Sequence, residues 1–74
     1  VMKDEIKQNG KVLLSSDDGV SVPMIFNNLS GKNLLGGKYR EYLETVHREF
    51  GVSAGMIELY RDGVLIKTAT IPEI

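Results

Sequence analysis

The chain predicts an α+β fold of ββαββ order, with one helix packed on a four-stranded sheet. Three observations carry that expectation: the turn Asp18-Gly19 between apolar segments, a second such turn at Asp62-Gly63, and helical spacing of apolar residues between them. Asp-Gly suits a two-residue hairpin loop, because both central residues need positive φ and glycine adopts it without steric cost. Seventy-four residues are too few for two cores. A composition 42% hydrophobic and 26% charged is that of a globular domain and not of a disordered chain.

The first ten residues, with Lys3-Asp4-Glu5 near their start, are expected as a polar, loosely held segment ahead of a single domain over 11–74. The first hairpin is then Lys11–Ser16, the turn at Asp18-Gly19, and a return over Val20–Phe26. Pro23 lacks an amide donor, so the return strand is expected at the sheet edge or with a bulge. Tyr39, Tyr42, Leu43, Val46 and Phe50 recur at intervals of three and four and form one face of a helix. Gly36-Gly37 marks its start, and Gly51 is the expected left-handed residue just past its end. In the second hairpin a two-residue loop sets Tyr60 against Leu65 and Glu58 against Lys67 on one face, with Ile57, Leu59, Val64 and Ile66 on the other. No internal repeat is expected beyond the doubled hairpin.

From Leu43 to Leu65, with Phe50-Gly51-Val52 followed by Ile57-Glu58-Leu59-Tyr60-Arg61-Asp62-Gly63, the pattern resembles the helix-to-hairpin half of ubiquitin-like domains. The resemblance implies the β-grasp arrangement, a helix crossing one face of a sheet whose middle strands run parallel. Ubiquitin-like modifiers and sulfur carriers need a C-terminal Gly-Gly, whereas this chain ends Ile71-Pro72-Glu73-Ile74, so conjugation and sulfur transfer are not expected.

Composition closes several functional classes. Nine basic against ten acidic side chains give a net charge of −1, and no bulk field draws the chain to nucleic acid or an anionic membrane. The absence of Cys removes disulfides, thiolate metal sites and a thiol nucleophile, and one histidine, His47, cannot build a multi-histidine centre. No apolar run is long enough to span a bilayer. No cofactor, metal site, catalytic residue or small-molecule substrate is expected, and the chain reads as a non-enzymatic cytoplasmic protein.

Two readings compete for residues 43–60. Leu43–Tyr60 is similar to a helix-turn-helix, with Val46, the turn Gly51-Val52-Ser53 and Ile57 suitably spaced, which makes nucleic-acid binding the alternative function. His47 is too large for its place in that motif, and the second helix would carry no base before Arg61, so the strand reading of 56–60 is preferred. Gly31-Lys32-Asn33-Leu34-Leu35-Gly36-Gly37-Lys38 fails the spacing of a phosphate loop, leaving Lys32, Gly36, Gly37 and Lys38 as a weak anion site. The function expected is a small protein-interaction module, an adaptor, regulator or inhibitor of bacterial or phage type. It is expected to bind a protein partner or a second copy through a sheet edge or the outer sheet face, with Tyr60, Leu65, Glu58 and Lys67 at the contact.

Overall fold

The computed structural model describes residues 2–31 and 37–73. Six elements follow in order: β1 (Asp4–Gln8), β2 (Lys11–Ser16), α1 (Ser21–Leu29), α2 (Gly37–Phe50), β3 (Gly55–Arg61) and β4 (Val64–Ile71). The strands make one sheet in the order β2-β1-β3-β4, antiparallel at every junction. The ββαββ, β-grasp expectation is therefore corrected to ββααββ: there are two helices, and the middle strands β1 and β3 run in opposite directions.

The correction begins at the polar start of the chain, where residues 4–8 form a central strand. Asn9 and Gly10 both take positive φ, 54° and 78°, and close the first hairpin as a two-residue turn. Alternation along β1 turns Asp4, Ile6 and Gln8 inward, all three buried, and Glu5 and Lys7 outward. Burying polar side chains is costly unless they are bonded, and both are. Arg61 grips Asp4 in a fork, Nε donating to Oδ1 at 2.7 Å and Nη2 to Oδ2 at 3.1 Å. Gln8 Nε2 donates to the carbonyls of Ser53 and Met56, at 2.8 and 3.4 Å, and Gln8 Oε1 accepts from the Ser53 N–H at 2.9 Å.

Residues 20–26, expected as a return strand, open helix α1. Val22, Phe26 and Leu29 recur at helical spacing and are its buried stripe. Pro23 sits in the first turn, where backbone N–H groups have no intrahelical acceptor and its missing donor costs nothing. Asp18 caps that turn. Its Oδ1 accepts from the N–H groups of Val20 and Ser21 at 2.8 Å each, and its Oδ2 accepts from the Ser21 hydroxyl. These bonds, that of the Ser21 hydroxyl foremost, hold the Asp18 carboxyl far below the usual carboxylate range. Helix α2 keeps its expected bounds, with Leu43 and Val46 buried and Gly51 at φ 77° just past its end. Tyr39 ties it to α1 by donating its hydroxyl proton to the Leu29 carbonyl at 2.6 Å, and burial pushes the Tyr39 phenol pKa up.

The two hairpins share one frame. Glu5–Ser16 matches Glu58–Ala69 position for position, with Asn9-Gly10 equivalent to Asp62-Gly63, and each hairpin has two pairs beyond the turn and then one extra residue in the outer strand. The extra residue is Leu13 in β2 and Ile66 in β4. The inner strands pair so that Ile6 faces Leu59, its own equivalent, which places a local two-fold axis at the centre of the sheet. Ile6, Leu59 and Ile57 with Val22, Phe26 and Leu29 make the middle of the core.

Gln8→Ala is expected to destabilise the fold by about 2 kcal/mol in urea unfolding, because it strands polar backbone groups of Ser53 and Met56. Arg61→Met alone leaves the Asp4 carboxylate buried without its partner, so the double variant Asp4→Asn/Arg61→Met is expected to melt at a higher temperature than Arg61→Met. The Asp18 cap is fully effective above the unfolded carboxyl pKa, roughly 4, and is lost as pH falls below it. Thermal melts from pH 7 downward should therefore show a shallower acid loss in Asp18→Asn, which has no proton to take up at this site.

Candidate interaction surface

Both helices lie on the inner face of the sheet, and among the described residues no element covers the other face, as an antiparallel sheet permits. Its side chains form cross-strand rows. Val12, Lys7, Glu58 and Thr68 make one, and Ser15, Glu5, Tyr60 and Leu65 make the next. The structure thus brings Tyr60, Leu65 and Glu58 together on the outer face, and Lys7 Nζ stands 4.4 Å from the centre of the Tyr60 ring, a cation–π contact. Lys67 leaves the group. The bulge at Ile66 shifts the register beyond Tyr60, so Glu58 faces Thr68 while Lys67 faces Leu59 on the inner side. The expected Glu58–Lys67 pair is corrected accordingly, because one inserted residue carries every following side chain to the opposite face.

β4 is the outer strand on that side, eight residues long and, among the described residues, paired only with β3. Val64, Leu65 and Ile66 are exposed at 62%, 46% and 45%, three adjacent apolar residues with side chains on both faces. At the other edge, Leu13 and Leu14 of β2 pack against the core, and Val12 alone is exposed among its large apolar residues. The sequence reading put Val64 and Ile66 on the core face but missed that the helices leave that end of β4 bare. Lys67 was the available signal: it stands where the matched hairpin has the core-packed Leu14.

The far end of β4 borders a cleft of about 390 Å³, which the sequence reading did not anticipate. Leu43 of α2, Val52, Ala54, Ile71 and Pro72 supply its apolar walls. His47, Ser53 and Glu73 are its polar lining. His47 Nδ1 lies 2.9 Å from the Val52 carbonyl oxygen, which can only accept, so Nδ1 carries a proton and the neutral ring keeps its lone pair on Nε2.

The other expectations resolve simply. Residues 55–61 form β3, so the second helix of a helix-turn-helix is not formed. Of the weak anion set, Lys32 and Gly36 lie outside the described residues, and Gly37 and Lys38 open α2. Among the described residues no three His, Cys, Asp or Glu side chains converge on a metal position, and no helix is long and apolar enough to cross a membrane.

No curated protein and no solved structure matches the chain. Residues 3–72, from the residue before β1 to the residue after β4, match the model of one family, and the chain belongs to it: the family is described as a domain of unknown function, DUF7688.

Proposed function

We propose that this chain is a small, non-enzymatic protein-interaction module of the cytoplasm that pairs through the β4 edge, first of all with a second copy of itself. The observation that carries the reading is the bare stretch Val64–Ile66 on an outer strand whose edge N–H and C=O groups, among the described residues, have no neighbouring strand. Such an edge accepts another extended chain by main-chain hydrogen bonds, and adjacent apolar side chains add burial on both faces. A net charge of −1 offers little repulsion between copies.

Symmetry then restricts the pairing. Two copies of β4 related by a two-fold axis run antiparallel, and a residue at the axis faces itself. An axis at Lys67 would set two ammonium groups together, whereas an axis at Leu65 sets Leu65 on Leu65 and Val64 on Ile66 and removes Lys67 from its mate. Lys67 thus selects the register. In that register Leu65 lies at the middle of the contact on the same face as Tyr60.

Sedimentation equilibrium over micromolar concentrations is expected to show a reversible dimer. Leu65→Lys places two charges at the axis and should raise the dissociation constant by about a hundredfold, since each interface contains the substitution twice. Val12→Lys, at the equivalent position of the other edge, should leave the dimer unchanged, with circular dichroism confirming that both variants fold. A wild-type monomer at every concentration, or equal loss in both variants, would overturn pairing through β4.

A further inference from the structure

We propose that the cleft between α2 and the end of β4 binds a primary ammonium group carried on a short apolar chain. The site is separate from the bare Val64–Ile66 stretch, so its fate and that of the dimer are decided by different measurements. Three observations support it. The volume, about 390 Å³, falls within the range of small-molecule pockets, and a second hollow of about 220 Å³ continues from it along α2 past Tyr39 and Arg40. Its walls are apolar side chains from three separate parts of the chain: Leu43 from α2, Val52 and Ala54 from the loop before β3, and Ile71 with Pro72 from the end of β4.

The polar lining then selects the ligand head. Among the described residues Glu73 is the carboxylate of the cleft, and none of those lining it is Lys or Arg. His47 has its Nδ1 proton committed to the Val52 carbonyl, so in the uncharged imidazole the acceptor is Nε2. A carboxylate and an imidazole lone pair together suit a group that donates several hydrogen bonds and carries positive charge, and they disfavour an anion. Glu73 lines both hollows, but among the described residues the continuing one also carries Arg40, whose charge repels a cation there, so the ammonium is placed at the His47 end.

This chemistry has two sources, a free alkylamine and a lysine side chain of another protein. Nuclear magnetic resonance titration of the 74-residue chain with n-propyl-, n-butyl- and n-pentylammonium should shift the amides of Leu43, Val52, Ala54 and Ile71. Affinity should rise by about fourfold per methylene as the tail enters the apolar walls. Hexanoate and hexanol are expected to bind at least about tenfold more weakly than hexylammonium. Glu73→Gln, a change on an exposed side chain, should weaken the ammonium series by about tenfold, and Ala54→Phe should abolish binding by filling the cleft. Nα-acetyl-lysine N-methylamide binding more tightly than butylammonium would identify a protein lysine as the source, and the reverse order a free amine. Shifts elsewhere than the cleft, equal binding of hexanoate, or an unchanged ammonium affinity in Glu73→Gln would overturn the assignment.

Discussion

The fold depends on a polar strand held at the centre of its sheet. β1 turns Asp4 and Gln8 into the interior on either side of Ile6, and neither could remain there without partners supplied from far along the chain. Asp4 is met by the fork of Arg61, and Gln8 by the backbone of Ser53 and Met56. Both ends of β1 are thereby fastened to the second hairpin and to the loop that leads into it. The fastening also sets register. Sliding β1 by two residues along β3 would bring Asp4 opposite Leu59, with no donor for the carboxylate, so the alternatives closest in geometry are the most heavily penalised. Arg61 extends the same arrangement outward, since its Nη2 also approaches the Gly19 carbonyl at 3.4 Å and links the sheet to the loop that starts α1.

Around that centre the hairpins repeat each other, and the differences between them locate the exposed surface. Equivalent turns, equivalent bulges and the shared axis at Ile6 and Leu59 give two nearly interchangeable halves of a sheet. The helices remove the equivalence. Leu13 and Leu14 of β2 pack against the core, whereas Ile66 and Lys67, their counterparts in β4, face solvent. A lysine can stand at Leu14's counterpart because that position of β4 is exposed. The backbone frame is symmetric, and the covering layer is not.

How much of this was legible in the sequence varies with how local the signal is. Helix α2 and the Asp62-Gly63 hairpin were readable because periodicity and turn chemistry agree within a few residues. Asn9-Gly10 is as strong a turn signal as Asp62-Gly63, but it follows Asp4-Glu5-Ile6-Lys7-Gln8, whose polarity reads as a surface segment until Arg61 and Ser53 are known to be waiting for it. Without β1, β2 needs another partner, and Val20–Phe26 offers one although Val22, Phe26 and Leu29 have helical spacing. Pro23 reinforced the error, since proline marks a strand edge and a first helical turn equally well. The bulge at Ile66 left no sequence signal, and it alone displaced Lys67 from the expected face. Of the candidate surface, Tyr60 and Leu65 were legible as an outward pair. The cleft at His47 was not, because its walls come from three segments that only the tertiary fold brings together.

The same geometry fixes the kind of association β4 can support. The strand is eight residues long, yet its apolar exposed stretch ends at Ile66, where the bulge kinks the edge and Lys67 follows. Beyond that point the side chains are Thr68, Ala69 and Thr70, and Ile71 is already buried at the margin of the cleft. A partner strand therefore meets apolar contact over less than half of β4. Obligate dimers bury large, continuous apolar areas, whereas small interfaces with a polar surround belong to reversible contacts. The core needs no second chain, because Ile6, Leu29, Ile57 and Leu59 are fully enclosed by the chain's own elements. The proposed pairing through β4 would accordingly add to a protein already folded, and its extent would follow concentration, as expected of a module that exchanges one partner for another.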